Sequence, residues 1–330
     1  MKTLIFTCGD INGIGTEIII KSINKLFNPQ KRKIVFLCPA NVFEKNASIA
    51  NPKFPFKFLK RENLDSLSSS YVSIIDLCNA KLDFGRATKV SGKVSAEAIE
   101  LSYHLAKENE FAAVITAPIS KIAFELAGIN FPGQTEYYAN LSNVNRFMML
   151  FLSRKLICGL ATIHIEHKSV SEKLSKELLK EKVSILSESL EKDIRKTNAR
   201  IAVLGLNPHA GEVGRIGKEE IEIIFPAIKE IKNRSITGPY VPDAFFGTKQ
   251  YRDFDAVLGM YHDQVLIPFK MLNFERGVNF SAGLKIVRTS PDHGTAYDIS
   301  GLGVAKPTSL IEAALWAEKI ITNRSKNNAC

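Results

Sequence analysis

The chain has 330 residues, 45% hydrophobic and 24% charged, ordinary values for a globular protein and enough for two lobes or one large α/β unit. Its 44 Lys and Arg against 34 Asp and Glu leave a formal charge of +10, but they are scattered. With no basic stripe interleaved with aromatics, nucleic acid is not an expected partner, while a lysine-rich surface helps to attract an anionic substrate. No stretch approaches the ~18 uninterrupted apolar residues of a membrane span, and the apolar core of "MKTLIFTCGD" is too short for a signal peptide.

Taken in chain order, "KTLIFTC", "KIVFLC", "YVSIIDLC", "FAAVITAP", "MMLFLS", "ICGLATIHI", "RIAVLGLNP", "DAVLGMY" and "LKIVRTSP" read as buried strands. Helical patterns lie between them. "TEIIIKSINKLF" offers Thr16 as N-cap and Ile19, Ile23 and Leu26 on one face. "VSEKLSKELLKEKVSILSESLEKDI" and "KEEIEIIFPAIKEIKN" have the same character, and "SLIEAALWAEKIITNR" is the last. Alternation of this kind predicts mostly parallel sheets with helices on both faces. A lobe boundary is expected near Ala127 and Gly128, giving one lobe of residues 1–128 plus 300–330 and a second of residues 129–299. The five cysteines (Cys8, Cys38, Cys78, Cys158 and Cys330) show no CxxC spacing, so a reduced, cytoplasmic protein is expected.

Polar clusters follow the strands rather than precede them. Thr116-Ala117-Pro118 follows "AAVI", His164 ends "ICGLATI", and Asn207-Pro208-His209 follows "IAVLGL". His262-Asp263 follows "DAVLGM", and Arg288-Thr289-Ser290 follows "LKIV". In an open parallel sheet the ligand crevice lies outside the carboxyl ends of the strands, so these clusters point to one region. Among the six histidines, His104 lies in a helical pattern without special context. His164, His209 and His262 stand at strand ends. Each alone reads as a hydrogen-bonded structural histidine; three neutral imidazoles converging would make an open metal site able to act as a Lewis acid.

Seven segments occur in one order across nearly the whole chain: "GDINGIGTEI", "TAPISK", "GQTEYYA", "NPHAGEVGRIGKEE", "GPYVPDAFF", "GMYHDQVLIPFK" and "RTSPDHGTAYDISGLG". Together they resemble the 4-hydroxythreonine-4-phosphate dehydrogenase family of pyridoxal 5'-phosphate (vitamin B6) biosynthesis. "HGTAYDISGLGVAKP" also resembles the cofactor loop of isopropylmalate and isocitrate dehydrogenases, whose two-lobed α/β/α fold lacks a GxGxxG fingerprint, as does this chain. The resemblance implies that fold, an active site in the inter-lobe cleft at the interface of a homodimer, and a small phosphorylated substrate. It implies NAD or NADP and a divalent metal (Zn2+, Mg2+, Mn2+ or Co2+), the imidazoles leaning toward zinc.

Residue by residue, the family's metal-binding histidines, drawn from both subunits, match His164, His209 and His262. Its substrate-contacting lysine, asparagine and arginine match Lys270, Asn279 and Arg288, and its histidine–threonine pair matches Gln134 and Thr135. Acidic residues of the pocket match Asp243 and Asp263; Asp263 and Lys270 both stand as candidate proton acceptors. His293, Gly294 and Asp298, in "DHGTAYDISGLG", are placed with the nicotinamide cofactor. The implied reaction oxidises 4-hydroxy-L-threonine 4-phosphate to a β-keto acid that loses carbon dioxide.

The chain departs from the family pattern at Gln134, which cannot become cationic as histidine can, and at Ile11-Asn12 and Thr16, where the changes read as structural. His167, in "IEHKSV", reads as a loop histidine facing solvent or as a group behind the metal ligands. Lys121 reads as reaching the crevice or capping a helix. Gln134 keeps a D-threonate or D-erythronate 4-phosphate dehydrogenase in play. A phosphate acyltransferase shares the lobed fold, but acyl transfer has no need of three strand-end histidines.

Overall fold

The computed structural model describes residues 1–327; Cys330 therefore lies outside the described residues. Each of the nine apolar runs forms a strand. From the N-terminus come β1 (Lys2–Thr7), α1 (Gly15–Leu26), β2 (Arg32–Leu37), α2 (Ala40–Ala50), β3 (Phe56–Leu59) and β4 (Val72–Ile75). Then follow α3 (Lys89–Lys107), β5 (Ala112–Thr116), α4 (Lys121–Leu126) and α5 (Gln134–Leu141). Next are β6 (Met148–Leu152), β7 (Ile157–Leu160), α6 (Val170–Lys173), α7 (Lys176–Ser189), β8 (Ile201–Leu204), α8 (Phe225–Ile231) and β9 (Ile236–Tyr240). The chain continues through α9 (Pro242–Gly247), β10 (Ala256–Gly259), α10 (His262–Asn273), β11 (Val278–Ala282), β12 (Val287–Pro291) and α11 (Thr308–Asn327).

Contacts divide the chain into a first unit, Met1–Val144 together with the segment from Leu284 onward, and a second unit, Asn145–Gly283. The boundaries expected from sequence stood at 128/129 and 299/300. Helix α5 packs on α3, and β12 pairs with β5, so both belong with the first unit.

In the first unit the strand order is β3-β4-β2-β1-β5-β12, and every pairing is parallel. Leu4, Ile5 and Phe6 of β1 are buried, as are Ile18, Ile19 and Ile23 of α1 and Leu310, Ala313 and Ile320 of α11. Each large aliphatic side chain so placed contributes about 1.5–3 kcal/mol. Helix α3 starts from a capping box in which Thr88 and Ser91 satisfy one another's backbone N–H groups. Thr16 is not the cap of α1: it lies inside the first turn, its hydroxyl 4.0 Å from Cys38 Sγ, and Ile14 precedes the helix without a side-chain cap.

In the second unit the order is β11-β6-β7-β10-β8-β9. Strand β6 runs antiparallel to both β11 and β7, while β7, β10, β8 and β9 are mutually parallel. Phe151, Leu160, Leu204, Phe245, Val257, Val265 and Phe269 are among its core. The thiols of Cys8, Cys38 and Cys158 are buried and unbridged, and burial pushes the Cys158 thiol well above its ordinary value. Among the described residues no helix is long and apolar enough to cross a membrane.

Candidate functional site

Strand β10 lies between β7 and β8, so the segments that follow three adjacent parallel strands carry His164, His262 and His209. Beyond the paired strands the chain stays laced. Ala161 N donates to Gly259 O (2.8 Å), and the Thr162 hydroxyl donates to Met260 O (2.7 Å). Gln264 then ties β10 to β8: its Oε1 accepts from Met260 N (2.7 Å) and its Nε2 donates to Gly205 O (2.6 Å). "YHDQ" thus ends a strand, opens α10 at His262 and staples the strand end to its neighbour.

This lacing brings the rings of His164 and His262 to 6.2 Å between centroids. Both line a pocket of about 280 Å³ with Thr162, His167, Tyr261 and Asp263. His262 Nδ1 lies 2.7 Å from Asp263 Oδ1, an arrangement that orients the imidazole and leaves Nε2 for a ligand. Half of the His262 side chain and most of Asp263 are exposed, so the pair adds little stability. His167 is exposed, yet its ring meets Tyr261 edge-on at 5.0 Å on the wall of the same pocket. His104 is exposed on α3, its ring against Tyr103.

His209 is carried differently. From His209 to Gly214 six consecutive residues have positive φ (53°, 49°, 77°, 42°, 56° and 85°), a left-handed run in which only Gly211 and Gly214 are glycine. Left-handed backbone disfavours each of His209, Ala210, Glu212 and Val213 by about 1–2 kcal/mol. Opposing bonds come from Glu220, buried at the head of a π-helical turn before α8. Its Oε1 accepts from Leu206 N and Asn207 N, both at 2.7 Å, and its Oε2 accepts from Asn207 Nδ2 at 2.9 Å. Three bonds to a charged acceptor, at about 1.5–3 kcal/mol each, are of the size needed to hold such a run. Glu219 Oε2 accepts from the same Asn207 amide at 2.7 Å, which holds the Glu219 carboxyl below its ordinary range.

The chemistry of the donor set suits a divalent cation, but one chain brings together only part of it. His164 and His262 meet at the pocket; among the described residues no three His, Cys, Asp or Glu side chains gather closely enough to hold an ion. Convergence of all three imidazoles therefore does not occur within a single chain. In the same unit Asp243 is exposed in the first turn of α9, Lys270 lies half-buried on α10, and Asn279 sits in β11 with its Oδ1 buried and, among the described residues, unpartnered.

The first unit brings together Arg288, Thr135 and Gln134. Arg288 does not follow its strand but lies within β12, 2% exposed. Its Nε and Nη2 donate to the Thr116 hydroxyl (3.1 and 2.6 Å), its Nη1 to the Thr135 hydroxyl (3.3 Å), and the guanidinium lies over the Tyr138 ring. Burial lowers its pKa to about 10, so it remains cationic at neutral pH. Gln134 opens α5; its Nε2 donates to Ala117 O (2.9 Å), which leaves Oε1 buried without a partner among the described residues. Lys121 is exposed at the start of α4, whose cap is Ser120.

His293, Gly294 and Asp298 lie on the segment between β12 and α11. His293 Nδ1 is 3.1 Å from Gly294 O, Gly294 and Asp298 are exposed, and a Cβ at Gly294 would meet nothing within 4 Å. The segment is moored to the loop after β1: Tyr297 Oη donates to Asp10 Oδ2 (2.8 Å) and Ile14 N to Thr295 O (3.0 Å). Exposed backbone on a moored support suits the hydrogen-bonding groups of a dinucleotide.

Glu220 and Asp10 were not legible as working groups in the sequence, and Gln264 and Thr116 were legible only as polar residues at strand ends. Nothing in "KEEIEIIF" sets Glu220 apart from its acidic neighbours Glu219 and Glu222; its burial arises only in the folded chain.

Comparison with known proteins agrees with this arrangement. The family model for the pyridoxal phosphate biosynthetic protein PdxA matches residues 30–317. The 4-hydroxythreonine-4-phosphate dehydrogenase of Sulfurihydrogenibium sp. (strain YO3AOP1) is 38% identical over 317 residues, covering 95% of this chain and 96% of that protein. The crystal structure of the Klebsiella pneumoniae enzyme of that name superposes with a TM-score of 0.84 at 34% identity, over 97% of this chain and 98% of that one. Isocitrate dehydrogenase from Methylococcus capsulatus, at 12% identity and a TM-score of 0.53 over 99% of this chain and 88% of that one, shares the fold alone. With its histidines behind adjacent parallel strands and its likeness running the full length, the chain belongs to the PdxA family.

Proposed function

We propose that this protein oxidises 4-hydroxy-L-threonine 4-phosphate with NAD or NADP to 2-amino-3-oxo-4-phosphooxybutanoate, which decarboxylates to 3-amino-1-hydroxyacetone phosphate. The observation that carries the reading is the meeting of His164 and His262 at one pocket, in a chain whose full-length relatives bear that enzyme's name. We assign the cation to His164 and His262, joined in a homodimer by His209 of the partner subunit. A divalent cation held there would supply Lewis acidity, and a nicotinamide held by the chain would supply the hydride acceptor.

The remaining work falls to side chains. Arg288, fixed by two threonine hydroxyls, offers donors to the phosphate or carboxylate, with Lys270 as a second cation and Asn279 and Thr135 setting orientation. Asp263 orients His262, and the hydroxyl proton passes to Asp263 or Lys270; Asp243 is the further acidic group of the site. Loss of that proton would be matched by loss of hydride from the same carbon, for which a bound nicotinamide would be the acceptor. The carboxylate bond then breaks, its electron pair remaining as an enolate that is protonated at the amino-bearing carbon. His293, Gly294 and Asp298 are assigned to the dinucleotide.

The dimer is supported by α10 and its C-cap, where Ile267, Met271 and Phe274 are 60%, 82% and 77% exposed at i, i+4 and i+7, an apolar stripe facing outward. Unbridged thiols support a reducing, cytoplasmic setting. A second substrate reading, D-threonate or D-erythronate 4-phosphate, is favoured by Gln134, whose amide nitrogen is already committed to Ala117 O.

The test is nucleotide reduction followed by absorbance with each phosphate, with and without chelator. The expected result is reduction that stops on chelation, returns with Zn2+, Mg2+, Mn2+ or Co2+, and falls ~100-fold or more in His262→Ala. Absence of reduction with every four-carbon phosphate overturns the proposal.

A further inference from the structure

We infer that Glu220 is a positioning residue for His209, acting through the left-handed turn. The inference rests on the reading of His209 as a cation ligand, but its structural half stands alone. A run of six left-handed residues does not persist by local preference, since four of the six carry a Cβ. Its entrance is fixed at one point. The Leu206 and Asn207 N–H groups, which immediately precede Pro208 and His209, both end on Glu220 Oε1. The Asn207 side chain is held on the other oxygen and on Glu219.

The packing leaves no slack around this clamp. A Cβ at Gly211 would stand 2.6 Å from Glu220 Oε2 and 2.7 Å from Gly217 O, and one at Gly217 would strike the Asn207 amide. The exit is closed by Ile216 N donating to Gly211 O at 3.1 Å. Glu220 touches neither the pocket of His164 and His262 nor any residue assigned to substrate, so it sets where His209 stands rather than taking part in bond changes. This accounts for the length of "NPHAGEVGRIGKEE": Asn207, Gly211, Gly217 and Glu220 are the parts of one holder, and His209 is what it holds.

Three variants of the full chain test this: Glu220→Ala, Glu220→Gln, and Asn207→Ala, the last removing the side-chain contacts while keeping the backbone ones. Amide hydrogen exchange and Co2+ titration followed by absorbance are the readouts. Glu220→Ala is expected to speed exchange across 206–214 at least about tenfold, leave β10 protected, and weaken Co2+ binding about 10–100-fold. Glu220→Gln, which keeps an acceptor for the two backbone N–H groups, should recover most of both, and Asn207→Ala should fall between. Should Glu220→Ala not fold, Asn207→Ala carries the same two readouts. Faster exchange with wild-type Co2+ affinity overturns the positioning role, and unchanged exchange overturns the clamp. If the wild type itself takes up no Co2+, the cation reading fails instead, and exchange alone decides whether Glu220 holds the turn.

Discussion

Arg288 shows how a single buried charge is made tolerable. Removed from water, a guanidinium needs donors satisfied in fixed directions; Thr116 takes two of its nitrogens and Thr135 a third. Lysine offers a point charge that cannot span both hydroxyls. Arg288→Lys is therefore expected to keep the charge yet lose about 1.5–3 kcal/mol of interaction, seen as a roughly 10–100-fold fall in kcat/KM with substrate. An unchanged kcat/KM would show that the fork geometry is not used. At this scale the sequence was informative about residue identity and poor about setting. His164, His262 and Asp263 were legible as strand-end polar groups because an apolar run that stops on them leaves little other reading. That Arg288 sits inside its strand was not legible, since its partners Thr116 and Thr135 come from β5 and α5.

Elements were readable where burial was complete. The nine strands found from sequence are continuous apolar runs, while β3 ("FKFL"), β9 ("ITGPY") and β11 ("VNFSA") were not seen. In these a lysine, a Gly-Pro pair or small polar residues interrupt the apolar signal, and pairing with a neighbour supplies what the pattern lacks. The link between β10 and β8 depends on one side chain. Gln264→Ala leaves Met260 N and Gly205 O without their partner, groups whose desolvation costs roughly 1–3 kcal/mol. Urea unfolding should register a loss of that order, and a shift below about 0.5 kcal/mol would mean that the two groups find other partners. Glu at the same position keeps the acceptor but sets a carboxylate against the Gly205 carbonyl, and should be no better than Ala.

Across the whole molecule, one network ties distant parts of the first unit. Asp10 accepts from Asn12 N (2.9 Å), Ser91 Oγ (2.9 Å) and Tyr297 Oη (2.8 Å), joining the first loop, α3 and the segment before α11. Burial raises its pKa above the ordinary 3.8 despite these donors. A carboxyl raised in the folded state binds its proton more tightly there, so the stability it contributes is present in acid and lost as pH rises through the raised value. Asp10→Asn, which stays neutral, should lack that dependence: followed from neutral pH into acid, the melting temperature of the wild type should rise relative to that of the variant. Parallel profiles would mean that Asp10 does not titrate in this range. The first unit is also discontinuous in sequence. Strand β5 lacks its neighbour β12 until the entire second unit has been made, so a ribosome-bound chain displays a bare parallel edge while roughly the middle of the protein emerges. Synthesis thus opens an interval in which that edge must be shielded or left to find the wrong strand, and it closes only when the last helix-bearing segment arrives.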